Sequence, residues 1–285
     1  AGKTTTIRML TGLIRPTGGT ALIDGLDVLA EPLEVKARVG VVPERSNLYG
    51  ELSARENLVF MAKLYGLPRR QWRSRADELL HQVRLAERAD SPFRSLSRGM
   101  KRRLTIAAAL VHRPNILFLD EPTTGLDVQS ARRLRATIQD LRTKGVTIFL
   151  TTHLIAEAER LCDRVGIVVE GKLIAVDTPS ALRRRYQDNR AVELVTPSPS
   201  EALQAAIRGS DEITSLSLRN NTLRLGVRSL DDALNGICAI MRQHHAPIEE
   251  IRTVDISLED AFVKLTGVDV ETLEQEKPAG NKGER

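Results

Sequence analysis

The chain begins with residues of the kind that bind phosphate. Gly2-Lys3-Thr4 matches the second half of the pattern GxxxxGK[ST], without the first half. In such a loop the lysine contacts the β- and γ-phosphates of a nucleotide, and the threonine hydroxyl is a Mg²⁺ ligand. N–H groups of the following helix bind the remaining phosphates. Because Ala1 is not an initiator Met, we expect an N-terminally truncated fragment whose missing part holds the preceding strand and the first loop glycine.

Two carboxylates follow an apolar segment further along the chain. Residues 115–119 have the composition of a buried strand, and Asp120 and Glu121 come directly after them. The carboxyl ends of parallel strands form the edge of a sheet where ligands bind. At that edge Asp120 can reach a Mg²⁺ ion, and Glu121 can polarise an attacking water as a general base. A buried strand followed by an acidic helix cap would look the same, but the phosphate-binding pattern in the same chain favours the functional interpretation.

Three further positions are less specific when each is taken alone. His153 follows the apolar segment 146–150, so we expect it at the same sheet edge as the two carboxylates. Ser97 stands at a predicted helix start, where a serine N-cap and free N–H groups can bind an anion. Glu44 follows another short apolar segment. The alternative interpretations are a polar histidine satisfied by its neighbours, an ordinary capped helix and an acidic loop residue.

The elements expected to hold these residues alternate along the chain. Predicted strands cover residues 39–42, 115–119 and 146–150, and predicted helices cover residues 4–13, 100–111, 128–144 and 154–162. This alternation predicts an α/β fold with a mainly parallel sheet covered on both faces. Residues 47–96 interrupt it as a mostly helical insert, in which Ser53 and Glu56 form a capping box.

A different pattern begins after a charged segment at residues 183–190. Residues 191–267 follow the order β-α-β-β-α-β, which predicts a small ferredoxin-like α+β accessory domain. Residues 268–285 have the composition of a disordered tail. The predicted organisation is therefore a first domain over residues 1–185, the accessory domain and the tail.

Composition excludes several classes of protein. The 285 residues include two cysteines, too few for a disulfide scaffold. No apolar segment approaches the roughly 18 residues of a membrane span, and we see no signal peptide, so we expect a soluble intracellular protein. The formal net charge is +5, with the basic excess in the first 190 residues. Because no aromatic residues are interleaved with the basic ones, we do not expect nucleic acid as a partner.

Taken together, the order of these motifs resembles the nucleotide-binding subunit of ABC transporters over residues 1 to about 180. The resemblance implies a P-loop NTPase fold with a helical subdomain at about residues 47–96, and ATP and Mg²⁺ as ligands. It also implies ATP hydrolysis in a head-to-tail dimer coupled to separate polytopic membrane subunits. The chain's ending at residues 255–267 and the run at residues 100–104 resemble the drug- and antibiotic-export systems of this family.

The resemblance also implies a role for each matched residue. The end of the Walker A loop corresponds to Gly2, Lys3, Thr4 and Thr5, with Thr4 and Asp120 (Walker B) as Mg²⁺ ligands. Glu121 corresponds to the catalytic glutamate, and His153 to the switch histidine that contacts the γ-phosphate. The nucleotide of the opposite subunit would be contacted by the signature residues Ser97 and Gly99, with Asp127 in the D-loop and Glu44 at the Q-loop position.

Some features depart from the family pattern. Glu44 replaces the Q-loop glutamine, and Arg98 and Met100 replace the usual Gly and Gln of the signature. We expect the Arg98 side chain to point away from the nucleotide, because it would otherwise clash. Without the first half of the phosphate loop, we expect the fragment itself to bind ATP poorly.

Three functions stay open at this point. The first is the ATPase subunit of an exporter, a homodimer or paired with a related ATPase, on the cytoplasmic face of the plasma membrane. The second is a soluble ABC ATPase that acts on ribosomes or DNA, a class that usually has two ATPase units or long coiled-coil inserts. The third is a regulatory module that turns over no ATP, although the presence of Asp120, Glu121 and His153 argues against it.

Overall fold

The computed structural model describes residues 2–184, 190–197, 199–254 and 257–266. Its internal contacts divide the chain into two compact units, Ala1–Leu154 and Ile155–Arg285. The predicted tail at residues 268–285 and part of the predicted boundary segment lie outside the described residues. The sequence-based limits of the domains, 1–185 and 191–267, stay a prediction.

The first unit alternates helices with short strands. Its helices are α1 (Lys3–Leu10), α2 (Pro32–Arg38), α3 (Ala54–Leu64), α4 (Trp72–Gln82), α5 (Arg98–Ala109) and α6 (Val128–Thr143). Its strands are β1 (Leu22–Ile23), β2 (Leu26–Asp27), β3 (Val39–Val42), β4 (Ile116–Asp120) and β5 (Thr147–Thr151). Three 3-10 turns, at Arg69–Gln71, Ala86–Arg88 and Phe93–Ser95, complete it over the described residues.

The sheet that positions the predicted site has the strand order β3-β4-β5, and both pairs are parallel. The register pairs Val39 with Ile116, Ile116 with Thr147, and Asp120 with Thr151. The central strand β4 is buried over most of its length because Leu117, Phe118 and Leu119 are apolar. The predicted parallel pairing is confirmed, and the segments that follow all three strands leave the sheet at the same edge.

Local sequence signals set several helix starts. Ser53 and Glu56 form the predicted capping box: the Ser53 side chain accepts from Glu56 N, and the Glu56 carboxylate accepts from Ser53 N at 2.8 Å. Helix α5 is capped by Ser97, and α6 by Asp127. Some boundaries differ from the prediction. Helix α1 ends at Leu10 rather than at residue 13, because Gly12 adopts a φ of +67°. Helix α5 covers Arg98–Ala109 rather than the predicted residues 100–111.

Helices α4 and α5 cap each other's carboxyl ends with buried arginines. Arg75 of α4 donates to the carbonyls of Leu110 (2.6 Å) and Val111 (3.0 Å), just past the end of α5. Arg103 of α5 donates to the carbonyl of Val83 at 2.6 Å, just past the end of α4. Cations at these positions satisfy carbonyls that have no partner inside the helix and interact favourably with its dipole.

The second unit contains two sheets and two apolar cores. Helices α7 (Ile155–Leu161), α8 (Pro179–Arg184) and α11 (Leu258–Thr266) and the hairpin β6 (Val165–Val169) and β7 (Lys172–Asp177) share a core that includes Ile167, Leu182 and Leu258. The second core lies between α9 (Glu201–Arg208), α10 (Leu230–Gln243) and the strands β8 (Arg190–Val195), β9 (Ile213–Arg219), β10 (Thr222–Val227) and β11 (Glu250–Val254). These strands form an antiparallel sheet of order β11-β8-β10-β9, and the elements follow the predicted order β-α-β-β-α-β. In the part of the chain that is described, no helix combines the length and apolarity of a membrane crossing.

Candidate functional site

The amino end of α1 presents unpaired backbone N–H groups. Gly2 is the N-cap and has a φ of +87°, a left-handed conformation that glycine adopts without a steric penalty. No side chain caps this end, and its first turn contains no acidic residue. The N–H groups and the positive end of the helix dipole are therefore available to an anion, as the Gly-Lys-Thr pattern predicts.

The Glu121 side chain contacts three other residues at the sheet edge, His153, Thr124 and Lys3. Its Oε2 accepts hydrogen bonds from His153 Nδ1 (2.7 Å) and from Thr124 Oγ1 (3.0 Å), and a weaker one from His153 N (3.4 Å). Its other oxygen, Oε1, lies 3.7 Å from Lys3 Nζ. The side chain is only 13% exposed. One carboxylate oxygen is thus anchored by His153 and Thr124, and the other points toward the lysine of the phosphate-binding loop.

The hydrogen bond between Glu121 and His153 fixes the histidine tautomer. A carboxylate only accepts, so His153 Nδ1 carries a proton. In a neutral ring Nε2 would then be an acceptor, and it could donate to a phosphate only as the imidazolium. While the bond to Glu121 is kept, a hydrogen bond from Nε2 to a γ-phosphate needs a proton on both ring nitrogens.

Asp120 is oriented by a residue that the sequence analysis does not assign to the site. Asp120 is 5% exposed, and its Oδ1 accepts from Thr151 Oγ1 at 2.6 Å. The Thr151 hydroxyl also accepts from Glu121 N at 3.3 Å, and the Thr151 carbonyl accepts from the same N–H at 3.0 Å. A threonine in the last position of a strand that runs parallel to β4 is the signal that could have identified it, because that register places it beside Asp120.

The signature and D-loop positions meet where α5 and α6 begin. Ser97 Oγ accepts from Met100 N, and Asp127 Oδ1 accepts from Ser130 N at 2.8 Å. Hydrogen bonds from the Ser130 side chain and from its backbone N–H lower the pKa of the Asp127 carboxyl. Gly99 is buried, and a Cβ there would lie 2.5 Å from Ser130 Oγ and 2.6 Å from Ser130 Cβ. Glycine at position 99 therefore permits the close approach of the two helix starts.

The Arg98 side chain forms a hydrogen bond to the loop that precedes α6. Its guanidinium donates to the carbonyl of Gly125 at 2.9 Å, on the loop between β4 and α6. This contact gives the side chain a position compatible with the expectation that it turns away from a nucleotide.

The structure brings some of the predicted residues together and leaves others apart. Lys3, Asp120, Glu121 and His153 form one cluster at the sheet edge. The Glu44 side chain is exposed and makes no contact with that cluster in the described part of the chain, although its carbonyl accepts from Arg102. Thr4 and Thr5 lie in the first turn of α1, and within the described residues neither side chain forms a hydrogen bond to the cluster.

The donor set fits a magnesium ion that is bound together with phosphates. Thr4 and Asp120 offer a hydroxyl and a carboxylate, and Mg²⁺ prefers oxygen ligands, of which one or two are carboxylates and others come from substrate phosphates. Over the described residues, no group of three or more His, Cys, Asp or Glu side chains forms a protein-only metal cage. A magnesium ion held by Thr4 and Asp120 would need phosphate or water oxygens to complete its coordination.

Comparison with known proteins agrees with this geometry. A family model described as ABC transporter matches residues 1–124. The chain is 35% identical to the linearmycin resistance ATP-binding protein LnrL of Bacillus subtilis (strain 168), covering 94% of this chain and 86% of that protein. The chain belongs to the ABC transporter family.

Other relatives of this ABC protein are also named as ATP-binding proteins of export or resistance systems. It is 39% identical to the Nod factor export ATP-binding protein I of Paraburkholderia xenovorans (strain LB400), over 94% of this chain and 85% of that one. It is 34% identical to the daunorubicin resistance ATP-binding protein DrrA2 of Streptomyces coeruleorubidus, over 98% and 87%. The predicted family and the predicted P-loop ATPase fold are confirmed.

Solved structures support the same assignment. An ATP-binding subunit of an ABC transporter is 34% identical and superposes with a TM-score of 0.57, covering 65% of this chain and 77% of that one. A dimeric ATP-binding cassette in a post-hydrolysis state, bound to ADP and Pi, is 26% identical with a TM-score of 0.56, covering 62% and 80%. This ABC protein is accordingly an ATP-binding, ATP-hydrolysing member of the family.

Proposed function

We propose that this ABC protein hydrolyses ATP to drive the export of a drug- or antibiotic-like compound through separate membrane subunits. The observation that carries the catalytic part is the arrangement of Glu121, with Oε2 anchored by His153 and Thr124 and Oε1 directed toward Lys3. The names of relatives that confer antibiotic resistance or export Nod factor support the export part.

The proposed chemistry assigns one task to each side chain of the cluster. Lys3 and the N–H groups of α1 bind and orient the phosphates of ATP. Glu121 Oε1 takes the proton of the attacking water, a task for which its anchored partner oxygen holds the carboxylate in place. His153, as the imidazolium, donates from Nε2 to the γ-phosphate. Thr4 and Asp120 would hold Mg²⁺, which neutralises charge on the phosphate oxygens.

The proposed dimer uses the surface at the start of α5. Ser97 and Gly99 of one protomer would face the phosphates bound by Lys3 of the other, and Asp127 would line the contact between the two. The similar ATP-binding cassette that was solved as a dimer in a post-hydrolysis state supports the dimer, though not the roles of these residues in it. The second protomer is a copy of this chain or a related ATPase subunit.

The membrane part of the system is proposed to be one or more separate polytopic chains. In that assembly the ATPase lies on the cytoplasmic face of the plasma membrane, and nucleic acid has no role. The decisive experiment is to extract the complete protein from native membranes with mild detergent and identify what copurifies. A stoichiometric polytopic chain is the expected result, whereas ribosomes, DNA or no membrane chain would overturn the export proposal and favour a soluble ABC ATPase.

Residues 191–267 are proposed to form an accessory domain that stabilises the dimer. The apolar core between α9, α10 and the four-stranded sheet supports this role for residues 190–254, whereas α11 packs into the core that it shares with α7, α8 and the β6–β7 hairpin. Deleting residues 191–285 from the complete protein should weaken dimerisation measured by analytical ultracentrifugation in the presence of ATP. Unchanged dimerisation and turnover would contradict this role.

A further inference from the structure

Arg102 of α5 links both segments that leave the sheet after β3 and β4. We infer that Arg102 is a positioning residue that holds Glu121 in its active conformation through the peptide groups on either side of it. The inference rests on the proposed role of Glu121 as general base. Arg102 lies outside every motif that the sequence analysis assigns to catalysis, and it is 8% exposed.

The backbone of Glu121 is in a conformation that needs support. Its φ is +46°, in the left-handed region that a glutamate rarely occupies. Such conformations persist where the surrounding structure over-determines them, and they cluster at functional sites. For Glu121 this conformation turns the carboxylate toward Lys3 and His153.

The Arg102 guanidinium bonds the chain on both sides of Glu121. One terminal nitrogen donates to the carbonyl of Asp120 at 2.5 Å, and Nε donates to the carbonyl of Pro122 at 3.0 Å. The residues before and after the strained position are thus held by one rigid planar group. A rotation of the Glu121 backbone out of the left-handed region would move at least one of these carbonyls away from its donor.

The same guanidinium reaches the segment after β3. Its other terminal nitrogen donates to the carbonyl of Pro43, and to that of Glu44 at 3.2 Å. Four carbonyls therefore share one cation, which the five N–H donors of arginine in a fixed fork can satisfy and the three donors of a lysine ammonium cannot match in direction. Through this contact the Q-loop position and the catalytic position are held in a fixed relation.

A second buried arginine provides a matched control. Arg75 is 9% exposed and also donates to two backbone carbonyls, those of Leu110 and Val111, but these lie at the far end of α5. Loss of the two hydrogen bonds from the Arg75 guanidinium should reduce folding stability without changing the geometry around Glu121. The comparison separates a general cost of removing a buried guanidinium from an effect on the catalytic carboxylate.

The test compares Arg102→Lys, Arg75→Lys and Glu121→Gln in the complete protein, with steady-state ATPase kinetics, nucleotide affinity and melting temperature for each. We expect Arg102→Lys to lower kcat by about 10- to 100-fold while KM stays close to the wild-type value, because a small misplacement of a catalytic group costs rate rather than binding. In the assay without membrane subunits, where nothing displaces α4, Arg75→Lys should lower the melting temperature and leave kcat unchanged. If Arg102→Lys does not fold, Arg102→Gln, which keeps an amide donor, takes its place.

Each outcome distinguishes the two claims. A slow Glu121→Gln protein together with a wild-type kcat for the Arg102 variant would overturn the positioning role and leave the proposed function standing. A Glu121→Gln protein with normal turnover would overturn the proposed function itself. An equal fall of kcat in the Arg75 and Arg102 variants would show a merely structural effect. In the Glu121→Gln background, Arg102→Lys should have almost no further effect on single-turnover hydrolysis, since both changes act on the same carboxylate.

Discussion

Glu121 and His153 join the ends of two neighbouring parallel strands through a 2.7 Å hydrogen bond from Nδ1 to Oε2. This bond leaves Oε1 as the oxygen that is directed toward Lys3, 3.7 Å away. A general base needs one basic oxygen near the water and a fixed orientation, and the two oxygens of Glu121 meet these needs separately. In the proposed mechanism, His153 would therefore act by orienting Glu121 as well as by contacting a phosphate.

Replacing Glu121 by glutamine should leave nucleotide binding nearly intact and lower kcat by about 10²- to 10⁴-fold, the usual contribution of a general base. Steady-state hydrolysis and equilibrium binding of ATP check this. Glu34→Gln, the same chemical change at an exposed position of α2, is the control and should behave as wild type. Wild-type turnover in the Glu121→Gln protein would mean that another group activates the water.

Replacing Thr151 by valine removes a hydroxyl that orients the Asp120 carboxylate without changing the side-chain volume much. We expect a loss of about 1.5–3 kcal/mol in the free energy of unfolding, the usual range for a hydrogen bond to a charged group. The KM for Mg-ATP should also rise, and Thr151→Ser should restore it. Thr137→Val is the control, because the Thr137 hydroxyl donates to the Arg133 carbonyl within α6. An unchanged KM in Thr151→Val, measured over a range of Mg²⁺ concentrations, would argue against a metal-binding role for Asp120.

An alanine at position 99 should disturb the contact between the starts of α5 and α6. Its Cβ would meet Ser130 at 2.5–2.6 Å, so one helix start must shift. Overpacking of this kind costs about 1–3 kcal/mol of folding stability. Adding Ser130→Gly should restore the melting temperature, because it removes the obstructing atoms and keeps the Ser130 backbone N–H that caps onto Asp127. If the double variant is no more stable than Gly99→Ala, the obstruction lies elsewhere.

The stability of the protein should fall in mildly acidic solution because of His112. Its ring stacks on Tyr65 at 3.8 Å between centroids, its Nε2 bonds the Val39 carbonyl, and its buried Nδ1 has no partner in the described structure. Burial lowers the pKa of His112, and nearby Arg75 acts in the same direction. With a lower pKa in the folded state, the unfolded chain binds the proton first, so stability is lost as the pH falls below the ordinary histidine pKa of about 6.5.

Urea unfolding at a series of pH values between about 7.5 and 5 measures this effect around the ordinary histidine pKa. The wild type should lose stability progressively, and His112→Phe, which keeps a ring to stack on Tyr65, should show a smaller slope with pH. His81→Gln is the control, because His81 is exposed. An identical slope in the wild type and in His112→Phe would assign the pH dependence to other groups.

Much of the framework could be predicted because its signals are local. The apolar segment at 39–42 coincides with β3, the capping box at Ser53 marks the start of α3, and the segment before Asp120 forms the central strand. Each of these features depends on the types of a few neighbouring residues, which are apolar in the two strands and form the capping box in α3. The parallel order of the strands then places the predicted acidic pair and histidine at one edge.

The parts that could not be predicted depend on contacts between distant segments. Arg102 bonds carbonyls 18 to 59 residues away, and carbonyls leave no trace in the sequence because every residue has one. The left-handed conformation of Glu121 was likewise not predicted, since its residue type does not favour it. Thr151 was overlooked because its partner, Asp120, lies on another strand and only the register reveals the pair.

The hydrogen bonds of Arg75 and Arg103 hold α4 and α5 in a fixed position relative to each other. If α4 slid along α5, the hydrogen bonds from each helix to the carboxyl end of the other would break. A displacement of α4 would therefore also move Ser97, the N-cap of α5. A displacement of α4 would thus be accompanied by a displacement of the proposed nucleotide contact at Ser97.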